Sequence, residues 1–185
     1  MKLSDAVKGK EVLVVGNSRS LLLQDYSELI DSHEFVIRFN LSIAYLHMHA
    51  IGQKCDAWIF AMKLENLCQE IYSKAEVKPD LCVRYDRHPP VNLRHDYIHL
   101  DCDPKDAALA IDTKKDPSVG ISTIWYLLNK ASPAKIKLIG FDSFKKANFY
   151  RKRISRSVEK RHQAKAEERY LNKQSEEENI IFLDR

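Results

Sequence analysis

Short apolar runs separated by polar turns recur along the chain. Runs of about four to six β-prone residues are typical of strands that are buried on both faces of a parallel sheet. We predict strands over residues 11–16, 34–40, 56–61, 80–85, 97–100, 136–139 and 180–183, and helices over residues 19–31, 64–74 and 121–130. Strands that alternate with helices predict an α/β fold, with a mainly parallel sheet and helices on both of its faces.

The composition is that of one globular domain. The chain has 185 residues, of which 44% are hydrophobic and 30% charged, and we expect a single domain over residues 1–185. No apolar run approaches the ~20 residues that span a bilayer, and the start, MKLSDAVKGK, does not resemble a signal peptide. The cysteines at positions 55, 68, 82 and 102 form no CxxC pair, so we expect buried free thiols. Together these features favour a cytoplasmic protein.

The first predicted strand ends in Gly16-Asn17-Ser18, directly before a helical pattern. In α/β proteins, a buried strand followed by a tight turn and a helix builds ligand sites at the strand's carboxyl end. Gly16 allows close backbone approach, and the N–H groups that begin the helix favour a phosphate. The second strand delivers Arg38 and Asn40 to the same edge of the sheet. The residues alone therefore predict a nucleotide-type site.

A second stretch of this kind begins at Pro117-Ser118 and continues through Gly120. Ser122 and Thr123 are expected to cap the helix that follows, whose N-terminus is a second place that favours an anion. The next strand ends in a turn that begins with Gly140.

These stretches resemble the sialylmotifs of glycosyltransferase family 29, the animal-type sialyltransferases. VVGNS followed by IDSHEFVIRFN is similar to the large motif, and PSVGIST followed by IKLIGFD is similar to the small motif. His162 and Glu167 have the HxxxxE spacing of the very small motif. The resemblance implies a GT-A-like fold and an inverting, metal-independent glycosyltransferase. It would transfer sialic acid, or a Kdo-type acidic sugar, from a CMP-sugar to a glycan acceptor.

The resemblance also implies roles for individual residues. His162 would be the catalytic base, Glu167 an orienting partner, and Tyr150 a donor to the leaving phosphate. The family has a histidine near Tyr150 that this chain lacks, and Val12 and about Pro133 stand where the family usually has disulfide-bonded cysteines. The implied donor-binding residues are Gly16, Asn17, Ser18, Arg38, Asn40, Ser118, Gly120, Ser122, Thr123 and Gly140.

Asp101 and Asp103 form a DxD pair after the fifth predicted strand. Such pairs hold a divalent cation in many other glycosyltransferases, but Asp103-Pro104 equally begins a turn. We favour the turn, and we expect no metal and no cofactor.

Positive charge is concentrated in a basic segment, defined as residues 145–173. It has eleven Lys or Arg and three acidic residues, a balance of +8, whereas the whole chain carries +4. We expect this segment to be helical. A solvated helix face is one interpretation, and an anionic acceptor or the anionic inner face of a membrane is another. Nucleic acid is the least favoured partner, because the segment lacks aromatic stacking motifs. The alternative function is a nucleotide-binding module without transferase activity.

Overall fold

The computed structural model describes residues 1–61, 65–85, 96–143, 145, 149 and 163–184, without the side chains of residues 65–69. Its strands form one sheet in the order β5-β4-β3-β2-β1-β6-β7, and each neighbouring pair is parallel. The strands are β1 (Glu11–Val15), β2 (Phe35–Phe39), β3 (Ala57–Phe60), β4 (Leu81–Arg84), β5 (Ile98–His99), β6 (Lys135–Ile139) and β7 (Ile181–Phe182). Each lies within a strand predicted from the sequence or differs from it by one residue, so the α/β fold with a parallel sheet is confirmed.

The helices cover both faces of this sheet. In the described residues they are α1 (Leu3–Val7), α2 (Ser27–Asp31), α3 (Glu65–Lys74), α4 (Pro104–Ala110), α5 (Val119–Asn129) and α6 (Ala164–Glu176), with 3₁₀ helices at Arg19–Leu22, Asn40–Tyr45 and His49–Ile51. Alternate residues of each strand contact opposite layers: Val12 and Val14 pack with α5, and Leu13 and Val15 pack with the layer that contains α2. In the described parts of the chain, no helix combines the length and apolar character needed to cross a bilayer.

The helix predicted over residues 19–31 is wrong. The chain forms a short 3₁₀ helix and then α2, because polar contacts turn the backbone between them. The Asp25 carboxylate accepts the Ser27 N–H at 2.8 Å, and the Tyr26 N–H donates to the Ala50 carbonyl at 2.9 Å instead of continuing a helical ladder. The sequence interpretation also missed α1 and α4.

The described cysteines confirm the expectation of buried thiols. Cys55, Cys82 and Cys102 are free and buried. Burial raises the pKa of Cys55 and of Cys82 to about 12, and that of Cys102 to about 11. All three side chains are therefore neutral thiols at physiological pH. The side chain of Cys68 lies outside the described residues.

The sheet changes direction between β1 and β6. From β1 the chain builds outward through β2 to β5, then crosses back to place β6 on the other side of β1. Ligands in open α/β sheets bind outside the carboxyl ends of the strands at such a switch point. Val15 of β1 is in register with Ile139 of β6, so Gly16 and Gly140 follow side by side.

The backbones of Gly16 and Gly140 touch. A Cβ atom on Gly16 would lie 2.2 Å from the Gly140 carbonyl oxygen, and Gly140 has φ +74° with the Leu21 side chain 2.9 Å from where its own Cβ would be. A larger residue at Gly16 would push the two turns apart, and a larger residue at Gly140 would collide with the Leu21 side chain. This contact explains both glycines without reference to a ligand.

We expect Gly16→Ala to lower the free energy of unfolding by about 2–3 kcal/mol, because the added methyl group meets backbone that cannot rotate away. Gly9→Ala is the matched control. Gly9 has φ +69°, but no atom of the described residues lies within 4 Å of the Cβ that alanine would add, so only backbone strain of about 1–2 kcal/mol applies. Urea unfolding of both variants measures the difference. A Gly16→Ala protein that is as stable as Gly9→Ala would contradict the steric account.

Candidate functional site

The turns after β1 and β6 are joined by hydrogen bonds at the switch point. The Gly16 N–H donates to the Ile139 carbonyl at 2.7 Å, and the Ser18 N–H donates to the Gly140 carbonyl at 3.1 Å. The Ser18 hydroxyl donates to the Asp142 carboxylate at 2.7 Å. The two turns therefore form one rigid unit, here called the switch-point turns (residues 16–18 and 140–142).

Ser18 caps the helix that follows β1. Its hydroxyl oxygen accepts the Ser20 N–H at 3.1 Å, and the side chain is buried. That helix is a four-residue 3₁₀ helix, Arg19–Leu22. It has a weaker dipole than the long helix expected from the sequence, so an anion at this turn would depend on local N–H and side-chain donors.

Asn17 is the middle residue of the first switch-point turn. Its carbonyl accepts the Phe149 N–H at 3.0 Å, which brings the chain after β6 back across the turn. Asn17 is thus in place at the strand edge where the sequence predicted a ligand contact.

The side chains of Arg38 and Asn40, at the end of β2, point in different directions. Asn40 stands at the strand's carboxyl end with φ +48°, and its Oδ1 accepts the Ala61 N–H at 3.0 Å. The oxygen of this amide is thus bound within the protein, and its Nδ2 group is the donor that can bind a ligand.

Arg38 is instead completely buried. Its Nε donates to the Lys54 carbonyl and one terminal nitrogen donates to the Ile51 carbonyl, both at 2.7 Å, and that nitrogen also contacts the Gly52 carbonyl at 3.2 Å. Burial lowers the pKa of Arg38 from its usual range. The structure therefore does not bring Arg38 to the strand edge, because its guanidinium binds the carbonyls of the loop before β3.

The N-terminus of α5 faces the same edge of the sheet. The helix is followed by a short connection to the amino end of β6, so its own start lies at the carboxyl ends of the strands. Ser118 is the N-cap, with its hydroxyl oxygen accepting the Ile121 N–H at 3.4 Å. The first-turn N–H groups of Val119 and Gly120 have no acceptor within the helix and are suited to an anion.

Gly120 allows an aromatic ring to close the space between α5 and the turn after β6. A Cβ atom at Gly120 would lie 2.9 Å from the Phe141 ring. The same ring makes an edge-on contact with Phe39 of β2, with centroids 6.5 Å apart. Phe141 thus connects β2, α5 and the switch-point turns, a role that the sequence interpretation did not assign.

Ser122 and Thr123 do not reach this site. Both are fully buried. The Ser122 hydroxyl bonds to the Tyr85 hydroxyl at 2.8 Å, and the Thr123 hydroxyl donates to the Val119 carbonyl one helical turn earlier, at 2.8 Å. The expected capping by these two residues is also corrected, because α5 begins two residues earlier than predicted and Ser118 caps it.

Glu167 ties α6 to the start of α5. Its side chain is buried, with one carboxylate oxygen accepting the Ser118 N–H and the other accepting the Ser118 hydroxyl, both at 2.8 Å. A carboxylate that receives two hydrogen bonds from one residue fixes that residue in both position and rotamer. This geometry supports the orienting role that the sequence resemblance gave to Glu167.

Two carboxylates complete the edge. Asp142 accepts from Ser18, and Asp184, two residues beyond β7, accepts the Gly140 N–H at 2.8 Å. Asp184 was missed from the sequence, although its position after the last strand is the signal that could have identified it. Asp103 accepts the Lys105 N–H at 2.7 Å and caps α4, so a helix begins where the sequence predicted a turn.

The predicted base, His162, and the predicted phosphate donor, Tyr150, lie outside the described residues, as does more than half of the basic segment. The described part of that segment includes Lys145, whose ammonium pairs with Glu168 at 2.5 Å, and most of the helix α6.

The sheet and the switch-point turns define an α/β protein of the GT-A-like class, and the comparisons with known proteins agree. The sequence model of glycosyltransferase family 29 (sialyltransferase) matches residues 5–85, which confirms the family resemblance over that part of the chain. The matched part of the chain is thus similar to sialyltransferases. No curated protein sequence matches it.

Solved sialyltransferases share the fold at low sequence identity. A mammalian sialyltransferase is 18% identical, with a TM-score of 0.61 over 98% of this chain and 71% of that one. The sialyltransferase CST-II, in complex with a trisaccharide acceptor and CMP, is 17% identical, with a TM-score of 0.60 over 94% and 81% of the two chains. CstII from Campylobacter jejuni, in complex with CMP-3FNeuAc, is 18% identical, with a TM-score of 0.57 over 94% and 78%.

We expect Glu167→Gln to lower the free energy of unfolding by about 1–3 kcal/mol. The reason is that an NH2 group replaces one of the two carboxylate oxygens that accept hydrogen bonds from Ser118. Glu168→Gln is the matched control. Its carboxylate pairs with an exposed lysine, so we expect a change of about 0–1 kcal/mol. Urea unfolding at neutral pH compares the two. Equal stabilities would show that the contact between Glu167 and Ser118 does not hold the start of α5.

Proposed function

We propose that this protein is an inverting, metal-independent glycosyltransferase that uses a CMP-activated acidic sugar. Sialic acid is the first choice of sugar and a Kdo-type sugar the second, with a glycan as acceptor. The observation that carries the proposal is the joining of the large-motif turn (residues 16–18) to the small-motif turn (residues 140–142) at the switch point, beside the start of α5. The match to the sialyltransferase family and the CMP complexes of the structural neighbours support the same donor.

In this proposal the switch-point turns and the start of α5 bind the donor. Gly16, Ser18 and Gly140 shape the turns that the nucleotide approaches, and Asn17 and the Nδ2 group of Asn40 supply polar contacts. At α5, the N–H of Gly120 faces the negatively charged part of the donor. Ser118, whose own donors bind Glu167, caps the helix that presents this N–H. Arg38, Ser122 and Thr123 support these elements from the interior, because their side chains bond to protein atoms.

The transfer step requires a base and a leaving group. The acceptor hydroxyl attacks the anomeric carbon from the face opposite CMP, and its proton passes to the imidazole of His162. The bond from that carbon to the CMP phosphate oxygen breaks, and the electron pair leaves with the phosphate. Tyr150 donates a hydrogen bond to that phosphate, and Glu167 holds the start of α5 while the groups react.

The basic segment gives this enzyme a surface for an anionic acceptor. Its balance of +8 within a chain of +4 also suits peripheral contact with an anionic membrane surface. The competing function is that of a nucleotide-binding module. The same donor site would bind CMP even if the protein had no working base.

The test separates binding from transfer. We expect His162→Ala to leave the affinity for CMP nearly unchanged while turnover of a CMP-sugar falls by roughly 10²–10⁴-fold, the usual contribution of a general base. Asn17→Ala should instead weaken CMP binding. Calorimetry gives the affinities, with UMP and GMP as comparison nucleotides, and CMP release measured in the presence of EDTA gives the turnover.

Each arm has an outcome that contradicts part of the proposal. An unchanged transfer rate in His162→Ala removes the base assignment, and activity that EDTA abolishes and magnesium restores removes metal independence. A wild-type protein that binds CMP but releases none from a CMP-sugar, even to water, would favour the nucleotide-binding module. Equal affinity for all three nucleotides would contradict the CMP donor.

A further inference from the structure

Asn40 is held in an unusual backbone conformation by atoms of the neighbouring strand. Its φ of +48° lies in the left-handed region, which asparagine tolerates better than most residues. Two bonds from β3 and the residue after it fix this conformation. The Ala61 N–H donates to the side-chain Oδ1 at 3.0 Å, and the Trp58 indole N–H donates to the Asn40 carbonyl at 2.7 Å.

Trp58 is a rigid support for that second bond. The side chain is completely buried. Its ring stacks on Phe60 with centroids 4.4 Å apart, and it lies against Tyr72 with centroids 6.2 Å apart. The indole N–H is the ring's single hydrogen-bond donor, and a buried indole needs a partner for it. The stacked rings hold that donor against the Asn40 carbonyl.

The consequence concerns the other end of Asn40. With the carbonyl held by Trp58 and Oδ1 held by Ala61, neither the backbone nor the amide of Asn40 can rotate without breaking a partly buried hydrogen bond. The Nδ2 group is therefore presented in one fixed direction at the carboxyl end of β2. A donor fixed before binding does not have to be ordered when the ligand arrives, which favours affinity.

We propose that Trp58 is a positioning residue of the donor site. Its indole N–H fixes Asn40 so that Nδ2 donates to an acceptor oxygen of the bound nucleotide. The inference rests on the proposed function, because it names a residue that acts through Asn40 on the same CMP site.

The test uses Trp58→Phe, which keeps an aromatic ring in the stack and removes the indole N–H. We expect CMP binding to weaken about five- to tenfold, the effect of one lost hydrogen bond. In an Asn40→Gly background the same substitution should change CMP affinity less than about twofold, because the residue through which Trp58 acts is already gone. The matched control is Trp125→Phe, which removes the chain's second tryptophan from α5 and should leave CMP affinity unchanged.

Amide hydrogen exchange tests the same coupling without nucleotide. In the free protein, Trp58→Phe should speed exchange of the Ala61 amide, which donates to Asn40, relative to wild type and to Trp125→Phe. Unchanged Ala61 exchange, or a Trp58→Phe protein that binds CMP as tightly as wild type, overturns the inference and leaves the proposed function standing. A wild-type protein that binds no CMP overturns the proposed function, and the Ala61 result then shows separately whether Trp58 holds Asn40.

Discussion

The close contact between the backbones of Gly16 and Gly140 is the constraint on which the candidate site depends. Two parallel strands that are distant in the chain, β1 and β6, end in register, and only residues without side chains let their turns meet. The bond between Ser18 and Asp142 then joins these turns through their side chains. The candidate donor site at this switch point is consequently shaped by the sheet itself.

Partly buried polar contacts hold the surrounding elements to this centre. Glu167 fixes the N-cap of α5, and Trp58 fixes Asn40 at the end of β2. A hydrogen bond of this kind adds little net stability, but leaving one of its buried groups without a partner costs more free energy. Each contact therefore mainly selects one arrangement of the site. The site thus depends on residues that need not touch a ligand.

The sheet was predictable because buried parallel strands appear as continuous apolar runs, as residues 12–15 and 136–139 do. The direction of individual side chains was harder to predict from the sequence. Arg38 lies one residue before the end of β2, but its side chain turns into the interior, where its guanidinium donates to backbone carbonyls of the loop before β3. Ser122 and Thr123 belong to a helix whose start the sequence placed two residues late, so their hydroxyls were assigned to the ligand edge although both are buried. Long-range partners such as Ser118 and Glu167 become visible only when the chain is folded.

The most direct measurement is a titration of ¹⁵N-labelled protein with CMP, followed through the backbone amide resonances. If the nucleotide binds at the switch point, the largest shifts will fall on the amides of Gly16, Ser18, Gly120 and Gly140, with Asn40 close behind. If the largest shifts instead fall at the amino ends of the strands, on amides such as those of Glu11 and Lys135, the switch point is not the nucleotide site.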